Sequence, residues 1–112
     1  PDIRYSGDAA IAMLRRALDA FARMDAHAAA SIIKDDQGVD ERFRATLRQL
    51  ITFMMEDPRS ISACIDTVWA AKAIERIGDH SKNVAEHVIF ISRGWDARHQ
   101  PLDEVERAVA RA

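Results

Sequence analysis

Two pairs of acids, each pair four residues apart, hold most of the chemistry in this sequence: Asp36 with Asp40, and Glu75 with Asp79. On a helix, residues four apart share a face, so each pair presents two carboxylates side by side. Like charges so placed repel, and bringing both pairs together is unfavourable unless cations neutralise them. Oxygen ligands suit magnesium, calcium, manganese or iron, and with Cys64 as the single cysteine nothing selects strongly for zinc. The competing reading is a salt-bridged surface. Lys72, Arg76 and Arg44 are within helical reach of the same acids, and Asp35 or Asp36 could cap a helix.

Whether the pairs meet depends on the elements that carry them. With 4 Gly, 3 Pro and 6% aromatic residues in 112, the composition argues for an all-α fold. A second helix is expected from about Asp36 or Val39 to Glu56, where Pro58 stops it. A third runs from Arg59 to Arg93, tolerating Gly78 at a cost of about 1 kcal/mol and ending at Gly94. Folded about Asp57-Pro58 as an antiparallel hairpin, these helices set Met54 opposite Ile61, Leu50 opposite Ile65, Leu47 opposite Val68 and Phe43 opposite Lys72. Further out, Asp40 then meets Glu75 and Asp36 meets Asp79, so the seam is apolar near the turn and acidic far from it.

Ile11, Leu14, Leu18, Phe21, Ala28 and Ile32 form an apolar stripe at helical spacing, which predicts a first helix, capped by Ser6 or Asp8, that ends at the Lys34–Gly38 break. Asp25 interrupts the stripe and is expected in a buried ion pair with Arg44 or Arg48, with a metal-ligand role as the lesser reading. His80 and His87 lie seven apart on one side of the third helix and read as partly exposed rather than as ligands. The domain reading is a three-helix bundle over residues 1–94 and a tail over 95–112. In the tail, Pro101, Asp103 and Glu104 followed by Arg107 and Arg111 could make a short fourth helix.

Composition narrows the function classes. The 16 Lys and Arg against 18 Asp and Glu leave a net charge of −2 with the signs interleaved, which gives no basic stripe for nucleic acid. The longest apolar runs, Ala9–Leu14 and Val88–Ile91, are far short of the ~20 residues a spanning helix needs. One cysteine fits a reducing compartment, which suggests the cytoplasm. An opening Pro1 where an initiator methionine is expected suggests processing or a segment of a longer chain. There is no Gly-rich phosphate loop, no Ser-His-Asp order and no Glu-x-x-His motif, so catalysis has little support and no catalytic residue is assigned.

The third-helix run Ala73-Ile74-Glu75-Arg76-Ile77-Gly78-Asp79-His80-Ser81-Lys82-Asn83-Val84-Ala85-Glu86-His87-Val88, with Met54–Ile61 before it, resembles the PhoU family of phosphate-transport accessory regulators. Fixed polar residues within a helix make the match specific, and it extends from about Asp8 to His99. The resemblance implies an antiparallel three-helix bundle, one of two such bundles in the family's usual chain, with this one similar to the C-terminal copy. It also implies a metal-binding acid-x-x-x-Asp signature, which falls here on Glu75 and Asp79 and is matched by Asp36 and Asp40, with Asn83 and Glu86 second in rank. Iron is the metal it favours, with zinc, manganese or magnesium as others.

The function so implied is a cytoplasmic, at most membrane-peripheral, non-enzymatic regulator of phosphate uptake and starvation signalling. It would link the ATPase subunit of a phosphate ABC transporter to a phosphate-sensing histidine kinase. A carboxylate-bridged metalloenzyme or metal store is the alternative, and a plain salt-bridged structural bundle the third reading. Trp69 and Phe90 read more readily as core packing than as a contact face, yet with Trp95 and the other outer apolar groups they are more than a bundle this small can cover, which suggests a homodimer.

Overall fold

In a computed structural model, which describes residues 3–111, the chain is four helices and a single turn of 3-10 helix. Helix α1 (Ile3–Arg23) and α2 (Ala26–Glu56) meet at a sharp corner, and Pro58–Ser60 leads into α3 (Ile61–Arg93). A loop then brings in α4 (Leu102–Ala110). The first three helices run up, down and up in a rod of 57 × 24 × 16 Å, and α4 docks against α2 and α3 at the end far from Pro58.

The α1–α2 corner lies at Met24 and Asp25, not at Lys34–Gly38 as the sequence suggested, and α2 passes through that stretch unbroken. Met24 sits in the left-handed region at φ 51°. Its amide donates to the Phe21 carbonyl at 3.1 Å, and that of Asp25 to the Ala20 carbonyl at 2.9 Å. Those two bonds are the paired closures that end a helix when a left-handed residue follows it, a place usually held by glycine or asparagine. Because methionine holds it here, nothing in the sequence announced the stop. Asp25 then starts α2: its carboxylate accepts from the Ala28 amide at 3.0 Å and pairs with Arg23 at 3.2 Å. Those contacts replace the expected ion pair with Arg44 or Arg48.

The α1 stripe is likewise inverted. The buried face is Ala10, Met13, Ala17 and Ala20, while Ile11, Leu18 and Phe21 are exposed. Nor does Ser6 or Asp8 cap the helix, since both lie inside it. Small residues face inward on α3 as well: Cys64, Ala71, Gly78 and Ala85, seven apart, are all buried. Helices lined with such residues approach closely and gain contact through backbone and Cβ atoms rather than long side chains.

Larger groups fill the core mainly toward α4. Ile32, Val88, Ile89 and Val105 are sealed completely, Val109 nearly so, and Trp95 and Leu102 pack against the same cluster. The stretch expected as a tail therefore contributes Ala97, Val105 and Val109 to the bundle's core, and Trp95 is half-covered by it. Gly94 takes φ 66° at the end of α3, where the Cβ of another residue would be strained. At the opposite end α1 begins beside Phe43, Ala71 and Ile74. From there α2 and α3 run on toward Pro58 as a two-helix hairpin about 20 Å long.

Candidate metal centre

The hairpin register expected from the sequence is correct in height. Lys72 Nζ lies 5.3 Å from the centre of the Phe43 ring, and Asp36, Asp40 and Asp79 each place an oxygen within 4.8 Å of the others. Near the turn, however, α3 presents a different face. Leu50 is buried, whereas Ile65, its expected neighbour, and Ile61, expected opposite Met54, are exposed and Cys64 takes the inner position. The apolar seam is therefore rotated by about one residue, while the acidic end falls in place.

Asp36 is the innermost member of the group. It is 2% exposed, and its Oδ1 has no hydrogen-bond partner among the described residues. Burial first, and then the charge of Asp40, push its carboxyl up to about 6. Asp79 on α3 is also raised, by burial and by the neighbouring charges of Glu75 and Asp40. Lys82 pulls both back toward ionisation without contacting either, and Lys72 does so for Asp79. An unpaired buried carboxylate is costly, and a cation is the simplest group that would relieve it.

Three oxygens from two rigid helices are a donor set for a hard cation, with the exposed outer side left to water or an anion. The residues present therefore fit a divalent or ferric ion. Glu75 stands outside the group, because its carboxylate, largely covered, accepts from Lys72 Nζ at 2.6 Å. Of the other cations weighed from the sequence, Arg44 is 3.5 Å from its own helix's Asp40 carbonyl. Asp35 caps nothing and pairs across to Arg16 at 2.6 Å.

The residue that sequence reasoning undervalued is Gly78. A Cβ built there would stand 3.0 Å from Asp36 Oδ1 and 3.1 Å from Val39 Cγ1, so the missing side chain is what lets Asp36 lie against α3. A mid-helix glycine immediately before one of the acids was the available signal.

Comparison with known proteins identifies the family. The PhoU domain family matches residues 3–88. The chain belongs to the PhoU family. It is 46% identical over 108 residues to the phosphate-specific transport system accessory protein PhoU homolog of Pseudomonas putida, an alignment covering 96% of this chain and 42% of that protein. It is 42% identical over 100 residues to the accessory protein PhoU of Escherichia coli K12, covering 89% and 42%. The crystal structure of PhoU from Pseudomonas aeruginosa superposes with a TM-score of 0.80 at 48% identity, covering 82% of this chain and 44% of that one. The chain thus spans less than half the length of the PhoU relatives it matches. The all-helical bundle expected from the sequence is the PhoU fold, and among the described residues no helix is long and apolar enough to cross a membrane.

Proposed function

We propose that this chain acts in the control of phosphate uptake as a metal-binding, non-catalytic adaptor. Its partners in this reading are the ATPase subunit of a phosphate ABC transporter and a phosphate-sensing histidine kinase, met on the cytoplasmic side. Membership of the PhoU family supports the transport-linked role, since the relatives are named for a phosphate-specific transport system. The observation that carries the metal is the unpartnered, buried Asp36 Oδ1 within reach of Asp40 and Asp79. Those three residues hold the ion, with Glu75 beside them. Iron is the first candidate, and manganese, magnesium or zinc are alternatives at an oxygen-donor site.

Bound there, the cation supplies positive charge that ties α2 to α3. The chain's own residues fix where it sits: Gly78 by leaving room, Lys82 by favouring the ionised carboxylates. The same chain self-associates as a homodimer through the large apolar groups it leaves outside, Trp69 and Phe90 among them.

Metal analysis of the purified protein, with capture of transporter and kinase components on it, tests this reading. Bound metal that is lost in Asp36→Ala/Asp79→Ala, together with capture of those components, supports it. Absence of metal and of both partners overturns it, and redox turnover at the bound metal would replace it with the metalloenzyme.

A further inference from the structure

Next to the aspartate group, on the α4 side, α2, α3 and the loop before α4 enclose a cavity of about 300 Å³, room for a small ion and several waters. Glu86 lines it. This residue is 8% exposed and makes no hydrogen bond or ion pair among the described residues. Lys82, also unpaired, lines the same space with Asn83, Arg98 and His99, while Asp79 closes one edge. Arg98 is tied to Asp96 at 2.9 Å, which stations its guanidinium at the rim.

A buried ionised carboxylate can only accept hydrogen bonds, and an ammonium can only donate them. A ligand satisfying both must carry a donor and an anionic acceptor within one small body. Hydrogen phosphate does: its P–OH donates to the carboxylate and its charged oxygens accept from Lys82, Asn83 and Arg98. Sulfate carries no proton near neutral pH and would set an anionic oxygen against Glu86. The carboxylate that weakens general anion binding thereby becomes the element that selects among anions.

The geometry points to this cavity as a binding site for inorganic hydrogen phosphate, with Glu86 accepting a hydrogen bond from the ligand's P–OH and Lys82 holding its charge. The inference rests on the phosphate-linked role proposed above and names the small molecule this chain would sense.

Amide shifts of the labelled protein, followed in titrations with sodium phosphate, sodium sulfate and glycerol phosphate at constant ionic strength and metal loading, test it. At about pH 8 a phosphomonoester is fully deprotonated, whereas free phosphate keeps one proton. Phosphate should shift the amides of residues 82–86 and 98–99 saturably, on the order of tenfold more tightly than sulfate or the monoester. Glu86→Gln should bring sulfate level with phosphate, and Lys82→Met should weaken both. Equal binding of phosphate and sulfate, no saturation, or a preference unchanged in Glu86→Gln overturns the site. If circular dichroism shows that Glu86→Gln does not fold, the wild-type ranking and Lys82→Met decide. Capture of the transporter without phosphate binding discards this inference and leaves the adaptor reading intact. Selective phosphate binding without capture does the reverse.

Discussion

Where α4 docks, Ile32, Val88, Ile89 and Val105 are sealed from water, whereas at the Pro58 end Phe53 is 53%, Trp69 69% and Met55 79% exposed. The two ends have similar residues and opposite packing. Four helices converge on the first, but only two make the second, and two helices cannot cover their own apolar groups. The aspartate group lies between these regions, where α1 still backs the hairpin through Met13. Stability is therefore concentrated at the α4 end, and surface suited to partners at the other.

Cavity formation should separate the ends most clearly. Ile89→Ala is expected to cost about 3 kcal/mol in urea unfolding, because a fully buried side chain leaves a hole the helices cannot close. If a truncation at the Pro58 end such as Phe53→Ala cost as much, the contrast would fail.

Next comes the boundary between the ends. With its carboxyl at about 6 in the folded state against 3.8 unfolded, Asp36 destabilises the metal-free protein increasingly as pH rises from about 4 through 6. The full penalty above that range is about 3 kcal/mol. Asp96, held down at about 2 by Arg98, acts in the other direction and its contribution is lost only as pH falls from 3.8 through 2. Metal-free protein should therefore melt higher near pH 4.5 than near pH 7. Asp36→Asn should remove most of that slope, and a bound divalent cation should restore stability at neutral pH in wild type alone.

Gly78→Ala tests the same boundary sterically. Alanine gains about 1 kcal/mol of helix propensity, but its methyl meets Asp36 and Val39, and overpacking of that kind costs about 1–3 kcal/mol. A net loss near 1 kcal/mol and weaker metal binding by calorimetry are expected. The smallest effect belongs to Trp69→Ala, within about 0.5 kcal/mol in unfolding. Light scattering on the same variant asks whether the exposed end is a contact surface: loss of self-association would confirm it, and a wild-type monomer at high concentration would refute it.

Sequence reading succeeded where a local rule acts alone. Pro58 and Gly94 punctuate the chain as their backbone chemistry requires, and symmetric counting from the turn placed Asp36 beside Asp79. It failed where two rules competed. On α1 the larger apolar groups were assigned to the core, yet close approach of three helices favoured alanine there and left Ile11, Leu18 and Phe21 outside. At Met24 a left-handed stop was written with a residue that rarely adopts it, so one helix was read through its end. In the site, spacing put Glu75 with the aspartates, but side-chain direction follows from the neighbouring Lys72, three residues earlier on the same turn.

The small-residue seam of α3, Cys64, Ala71, Gly78 and Ala85, also shapes how this sequence can drift. In most folds the interior accepts exchange among apolar side chains of similar volume, and growth is limited to a methylene or so. Along this seam the interior accepts almost no growth, while bulky groups such as Ile61, Ile65 and Trp69 lie outside and can be exchanged freely unless a partner reads them. Variation among descendants would then be sorted by volume on one side of each helix and by interaction on the other. An invariant tryptophan or phenylalanine on the outer side would mark a contact under selection rather than a core.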